Sequence, residues 1–130
     1  MDLNRITLIG RMGSELTTKT IGEGETAKQV VSFRFAVNSP FDDQATWLTV
    51  ECWGGLADVV NKLSLKKGSR LYVDGKLVPD KETGGPRAWI VEEGEKAGMA
   101  QASFVVWADT IIALDKKESS EKQEEQHGEA

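Results

Sequence analysis

The segment from Thr46 to Trp53 constrains the fold more than any other part of this 130-residue chain, because its side chains alternate strictly in character. In an extended strand, successive side chains point to opposite faces. One face would carry Leu48, Val50 and Cys52, and the other would carry Trp47, Thr49, Glu51 and Trp53. The first face therefore belongs against a hydrophobic core.

The opposite face combines two residues that favour water with two tryptophans, and this combination has two interpretations. Bare indole rings can form a platform on which unpaired bases stack, and such stacking is tolerant of sequence because every base has a π-face. Alternatively, Trp47 and Trp53 are covered by a neighbouring loop or by a second subunit. The strand alone leaves both interpretations open.

The residues that follow predict a short helix and then another strand. Gly54-Gly55 ends the first strand, and Leu56, Val59, Val60 and Leu63 recur at the spacing of one apolar helical stripe. Lys66-Lys67-Gly68-Ser69 closes the helix with cations and a glycine. Period-2 alternation resumes on the next strand, whose inward side chains would be Leu71, Val73, Gly75 and Leu77.

Strands are also predicted before and after this central unit. Residues 3–12 are predicted to form a mostly buried strand that Gly10 allows to bend or bulge, and residues 15–21 to continue it as a short strand. Residues 31–37 place Phe33 and Phe35 in the core and Arg34 outside. Residues 104–114 form the closing strand, on which we interpret Trp107 as partly buried structure in preference to a DNA contact.

Four runs of this sequence, in order, resemble the bacterial-type single-stranded DNA-binding proteins, a family of homotetrameric OB-fold proteins. The central signature of that family is similar to WGGLADVVNKLSLKKGSRLYVDGKL. Its opening strand, second strand and closing strand are similar to LNRITLIGRMG, VVSFRFAVNSPF and VVWADTIIAL. The resemblance covers residues 3–114 and is weakest at 79–103.

The resemblance implies an all-β fold with one short helix: a five-stranded OB-fold Greek-key barrel with an extended β-hairpin loop. The strand order, with the helix after the third strand, is that of OB-folds, which bind oligonucleotides across a strand face and its loops. Residues 1–114 would be the DNA-binding domain and 115–130 an acidic disordered tail. The implied function is to coat single-stranded DNA, with little sequence preference, during replication, recombination and repair, as a homotetramer.

Aromatic side chains are expected to stack on bases, and cations to contact phosphates. Phe41 lies where the family has a stacking loop aromatic, although it could instead plug the barrel end. Trp89 would replace an aromatic that the family often has near Lys81 and Glu82. The expected stacking residues are Phe41, Trp47, Trp53 and Trp89. The expected phosphate-binding residues are Arg5, Arg11, Arg34, Lys62, Lys66, Lys67, Lys76, Lys81 and Arg87.

The net charge of −5 argues against bulk attraction to nucleic acid. Residues 115–130 contribute −3 through six acids and three lysines, which leaves −2 for residues 1–114. Binding would therefore need cations gathered on one face, with a salt dependence shallower than that of a basic domain. The resemblance implies a tail that docks replication and repair proteins through acids followed by an apolar tip. This tail has the acids but lacks the tip, which puts that partner function in doubt.

Catalysis, metal binding and membrane insertion are not indicated. The only histidine, His127, lies in the tail, and the run from Gly22 to Ala27 precedes a strand where a nucleotide-binding loop would open a helix. We therefore expect no enzyme, cofactor or metal site. No apolar run approaches the ~20 residues of a membrane span. One cysteine indicates a reducing compartment, and we expect a cytoplasmic, nucleoid-associated protein.

Two alternative functions remain compatible with the sequence. The first is an OB-fold protein-interaction module of the primosomal accessory type, with exposed aromatics that bind protein and only weak affinity for nucleic acid. The second is an RNA-binding protein of the cold-shock type, which the absence of a Lys-Gly-Phe-Gly-Phe strand disfavours. The segment 92–100 is expected to be an insertion without a function of its own.

Overall fold

The computed structural model describes residues 1–115 and contains seven strands and one α-helix. A single 3-10 turn, Gly24–Thr26, connects the second and third strands where the sequence predicts a turn. The strands are β1 (Ile6–Met12), β2 (Thr17–Ile21), β3 (Lys28–Val37), β4 (Thr46–Trp53), β5 (Arg70–Val78), β6 (Arg87–Ile90) and β7 (Ala100–Ala113). The helix, α1 (Gly55–Lys62), follows β4.

Five of the strands close into a ring of hydrogen-bonded pairs. The ring runs from β1 to β5, β7, β4 and β3 and returns to β1. All of its pairs are antiparallel except β4 with β7, which run parallel. This topology, with the helix between the third and fourth strands of the ring, is the predicted OB-fold order. Strand β2 pairs with β3, and β6 pairs with β7, outside the ring.

The inward face of β4 is buried as its alternation predicts. Leu48, Val50 and Cys52 are at most 3% exposed and pack in one cluster with Phe33 and Phe35. Removing a side chain of this size from water contributes about 1.5–3 kcal/mol to stability. Burial, reinforced by the neighbouring Glu51 carboxylate, raises the pKa of Cys52 to about 12. The thiol is therefore a protonated packing group at neutral pH.

Helix α1 differs in one respect from the stripe that the sequence predicts. Ala57 and Val60 are fully buried, whereas Val59 is 49% exposed. The helix face that carries Ala57 and Val60 packs against the barrel. Successive helical residues point 100° apart, so Val59 points to the edge of that face and remains partly in solvent. Leu56 and Leu63 pack against the core as expected.

The barrel needs two glycines where strands approach each other closely. A Cβ atom on Gly10 would lie 2.3 Å from the carbonyl oxygen of Ala36, next to Arg11, which pairs with both β5 and β3. A Cβ atom on Gly75 would lie 2.0 Å from the carbonyl oxygen of Trp107, next to a register shift between β5 and β7. The extra residue of this shift, Asp109, lies on β7. On β5, Leu77 stays opposite the buried Val106 but is 39% exposed.

The hairpin that follows β5 is arranged differently from the expectation. The turn at residues 80–85 is closed by backbone hydrogen bonds between Asp80, Gly84 and Gly85. Strand β6 then pairs with β7 and not with β5. Residues 91–99 consequently form the loop of the β6–β7 hairpin, and Ala100 already belongs to β7.

The predicted tail, residues 115–130, lies outside the described residues apart from Asp115. The carboxylate of Asp115 accepts a hydrogen bond from the backbone N–H of Arg70 at 2.8 Å. Within residues 1–115, α1 is too short to cross a membrane.

Substitution of Gly10 by alanine should destabilise the barrel where β1 meets β3. The new methyl group would press on a backbone oxygen that cannot move without shifting β3. We expect a loss of about 1–3 kcal/mol in the free energy of unfolding, measured by urea denaturation. Gly55→Ala is the matched control, since its Cβ atom would meet nothing within 4 Å. Equal stability of the two variants would contradict a packing role for Gly10.

Candidate nucleic-acid interface

The outward sides of β3, β4, β6 and β7 form one continuous surface, which we call the aromatic face. Antiparallel and parallel partners in a sheet project to the same side, so the strand registers decide which residues share it. Arg34 is opposite Thr49, and Glu51 is opposite Trp107. The aromatic face consists of Arg34, Trp47, Thr49, Glu51, Trp53, Arg87, Trp89, Ser103 and Trp107.

Trp47 lies at one end of this face and is 44% exposed. Its ring packs over Gly13, where a Cβ atom would lie 2.3 Å from the ring. The guanidinium carbon of Arg34 lies 5.5 Å from the centre of the ring. Arg34 is held there because its Nη1 donates to the hydroxyls of Thr49 at 2.9 Å and Ser103 at 2.8 Å. A bare indole beside a fixed cation is suited to a stacked base and its phosphate.

Glu51 occupies the middle of the aromatic face and organises two of its neighbours. Its Oε1 accepts a hydrogen bond from Nε1 of Trp107 at 2.9 Å. Its Oε2 accepts one from Nη1 of Arg87 at 3.0 Å, in an ion pair that joins β4 to β6. A negative charge would by itself repel a polyanion, but here it fixes the orientation of an indole and a guanidinium.

Trp53 lies at the other end of the face, against Trp107. The two ring centres are 5.5 Å apart and the ring planes meet at 65°, an edge-to-face contact. Nζ of Lys76 lies 5.4 Å from the centre of the Trp107 ring. Trp53 is therefore neither sealed in the core nor fully bare, since its neighbours cover part of the ring.

Phe41 and Trp89 are exposed rings outside β4. Phe41 is 92% exposed in the loop between β3 and β4, which excludes the alternative of a plug over the barrel end. Trp89 is 45% exposed and lies on the same side of β6 as Arg87. The β3–β4 loop and the β6–β7 hairpin thus each carry an exposed ring.

The structure brings only some of the expected cations to the aromatic face. Arg34 and Arg87 lie on it, and Lys76 borders it over Trp107. Lys62 ends α1, Lys66 and Lys67 follow the helix, and Lys81 lies in the turn after β5. Their contribution to phosphate binding stays a prediction.

Two of the expected cations, Arg5 just before β1 and Arg11 on β1, have carboxylate partners of their own. Nη2 of Arg5 donates to Asp74 at 2.6 Å, and the hydroxyl of Thr7 donates to the same carboxylate at 3.0 Å. The hydrogen bonds from Thr7 and Arg5 lower the pKa of Asp74. Arg11 donates to the carbonyl of Gly68 and lies 4.0 Å from Asp115. These contacts draw Arg5 and Arg11 towards β5.

Sequence reasoning did not select Lys28 or Trp107, which both line a cleft beside Trp53. Alternation along β7 places Trp107 on the outward side, together with Val105 and Asp109, and that signal was present in the sequence. Its position beside Glu51 and Trp53 depends on the parallel register between β4 and β7, which joins residues 56 positions apart. No local pattern encodes such a register.

The chain belongs to the single-strand binding protein family, whose model matches residues 3–85. It is 32% identical to the single-stranded DNA-binding protein of Thermosynechococcus vestitus over 93% of this chain and 90% of that protein. It is also 32% identical to single-stranded DNA-binding protein 1 of Chlorobaculum tepidum, where the match covers 58% of this chain and only 48% of the relative.

Solved structures of similar fold include the SSB of Plasmodium falciparum in complex with ssDNA. That structure has a TM-score of 0.62 and 25% identity, covering 88% of this chain and 97% of the other. The second single-stranded DNA-binding protein of Mycobacterium smegmatis has a TM-score of 0.59 with the same coverage. At 22% identity, the latter supports the OB-fold alone.

Removing the Glu51 carboxylate should release both Trp107 and Arg87. In Glu51→Ala we expect a loss of about 1–3 kcal/mol in unfolding free energy, because a partly buried indole N–H loses its acceptor. Exchange of the Trp107 indole proton with solvent, followed by NMR, should accelerate. Glu51→Gln keeps an acceptor and should protect the indole proton more than alanine does. Identical exchange in both variants would show that Glu51 does not hold the ring.

Proposed function

We propose that this protein binds single-stranded DNA with little sequence preference and protects it during replication, recombination and repair. Bases stack on Phe41, Trp47 and Trp53, with Trp89 as a further ring, and cations beside them contact phosphates. The observation that carries the proposal is the exposed ring of Trp47 next to the fixed guanidinium of Arg34. Membership of the single-strand binding protein family supports the same function.

Stacking can outweigh the unfavourable net charge. Each stacked base contributes about 1–3 kcal/mol, so three rings contribute roughly 3–9 kcal/mol before the cost of ordering the strand. The charges on and beside the aromatic face favour binding of a polyanion. Arg34, Arg87 and the bordering Lys76 are cations, and the acid among them, Glu51, is already paired with Arg87. The affinity should therefore fall with salt, with the shallow slope of a few phosphate contacts.

The geometry favours unpaired over paired DNA. A base can lie flat against an exposed indole only when it is not stacked in a duplex. Of the described residues, only Gly55–Lys62 form an α-helix, and this helix packs against the barrel strands β3 and β4. It does not project from the domain as a recognition helix that enters a duplex groove would. We propose that the protein acts by binding, without catalysis, in the cytoplasm on nucleoid DNA.

We also propose that the protein assembles as a homotetramer. Strand β1 pairs with β3 only at Arg11 and Met12, so the edge from Ile6 to Gly10 has a partner on the β5 side alone within residues 1–115. An open edge of this kind can pair with the same edge of a second copy across a two-fold axis. This pairing would produce a dimer.

A second self-complementary surface lies on the outward side of the same strands. Ile9, Tyr72 and Ile112 are lateral neighbours on β1, β5 and β7, and Ile9 and Ile112 are about half exposed. An exposed apolar row on three strands favours burial against a like surface. Two different two-fold contacts in one chain generate a tetramer of closed symmetry.

The alternative function, an OB-fold protein-interaction module, uses the same exposed rings for a protein partner. The two functions predict different results when the Trp47 ring is removed. If the ring binds protein and holds subunits together, its removal would disrupt assembly.

Trp47→Leu should weaken binding to oligo-dT by about 5- to 150-fold, the loss of one stacked base. The measurement is a fluorescence anisotropy titration at two salt concentrations, with sedimentation of the free protein in parallel. Val59→Leu, an exposed apolar position on α1, is the matched control and should bind as the parent does. Unchanged affinity would refute the stacking role, and dissociation of the subunits would favour the interaction module.

Ile112→Glu should reduce the assembly from four chains to two, because charges would face each other across the apolar row. Sedimentation equilibrium of the full chain measures the mass directly. Val59→Glu introduces the same charge on α1, away from β1, β5 and β7, and should leave the tetramer intact. A parent protein that sediments as a single chain would rule out the proposed assembly.

A further inference from the structure

We infer that the cleft between Trp53 and Trp107 is a nucleotide subsite in which Trp107 stacks on a base. The inference rests on the proposed function and extends it, because the path of the DNA would continue from β4 across β7 to Lys76 on β5. The sequence alone favoured a structural role for Trp107 over a DNA contact.

The cleft is an open depression of about 750 Å³ at the end of the aromatic face, within the range of ligand-binding pockets. The two indoles form its walls, and Gly54 and Leu56 close it at the junction of β4 with α1. Because the ring planes meet at 65°, a base lying flat on one ring presents its edge to the other. Both flat stacking and edge-to-face contact are favourable arrangements for aromatic rings.

The charge of the cleft suits a nucleotide, which carries one phosphate per base. Lys28 and Lys76 line it together with a single acid, Asp109, so the net charge of these three groups is positive. The ammonium of Lys76 lies over the Trp107 ring. A base that stacks on that side displaces the ammonium, which is then free to pair with the phosphate of the same nucleotide.

Trp107 is held in place before any ligand arrives. Its indole N–H donates to Glu51, and Glu51 is itself held by Arg87, so the ring cannot rotate freely about its side-chain bonds. A preorganised ring loses little conformational entropy when a base stacks on it. The residue is nevertheless only partly buried, so part of the ring surface is accessible from the cleft.

Trp53, the second wall of the cleft, carries a polar atom that needs a partner. Within residues 1–115 its buried Nε1 has no hydrogen-bond acceptor. Buried donors are rarely left unpaired because the loss of hydration is not compensated. A carbonyl oxygen of a base is an acceptor of the type that this N–H lacks.

Photochemical crosslinking of the full, unmodified chain tests the inference directly. Oligo-dT carrying one 5-iododeoxyuridine is irradiated in complex with the protein, and the tryptic peptides are analysed by mass spectrometry. Trypsin should release residues 97–116, in which Trp107 is the one tryptophan, whereas Trp47 and Trp53 share the peptide 35–62. We expect an adduct on Trp107 as well as on the second peptide. Adducts on the second peptide without any on Trp107 would overturn the inference.

Two substitutions separate stacking from a purely structural role. Trp107→Leu removes the aromatic surface and should weaken oligo-dT binding by about 5- to 150-fold. Trp107→Phe keeps an aromatic ring but loses the hydrogen bond to Glu51, and should retain most of the affinity. Equal weakening in both variants would assign the effect to the lost hydrogen bond and overturn the inference.

Trp47→Leu, measured in the same series, distinguishes failure of the inference from failure of the proposed function. Weakened binding in Trp47→Leu with parental affinity in Trp107→Leu refutes the subsite alone. Parental affinity in both variants refutes the stacking mechanism as a whole. Thermal unfolding of each variant confirms that it is folded, and the crosslinking result stands without any variant.

Discussion

The contact of β4 with the core determines where the aromatic face lies. Leu48, Val50 and Cys52 are buried, and their burial forces the intervening residues of the strand to the outside. A slip of the strand by one residue would expose three apolar side chains and bury Glu51 and the tryptophans. The free energy gained by burying Leu48, Val50 and Cys52 therefore keeps two large indoles in partial contact with solvent, although apolar rings are more stable when buried.

The electrostatic arrangement explains how an acidic protein can present a surface for a polyanion. Cations are not in excess, so their placement matters more than their number. Glu51 holds Arg87 and Trp107, and two hydroxyls hold Arg34 beside Trp47. Other arginines are engaged with carboxylates elsewhere, as Arg5 is with Asp74. The acid in the middle of the face is thus part of its construction.

Sequence patterns were sufficient for the strands, the helix and the side of β4 that faces outward. Period-2 alternation and the family resemblance predicted the barrel topology, and the exposure of Phe41 and the outward position of Arg34 agree with the sequence interpretation. Local patterns could not reveal the pairing of β6 with β7 or the register that brings Trp107 to Glu51. Both are contacts between distant residues, whose partners are selected by the closed barrel.

The environment of Cys52 has a practical consequence for how this protein can be studied. It is the sole cysteine of the chain, and burial in the core keeps its sulfur in the unreactive form. A cysteine introduced at an exposed position would therefore be the only thiol that a maleimide dye modifies at neutral pH. Site-specific fluorophores can be attached without first removing the native residue, so distances along a bound strand become measurable by energy transfer.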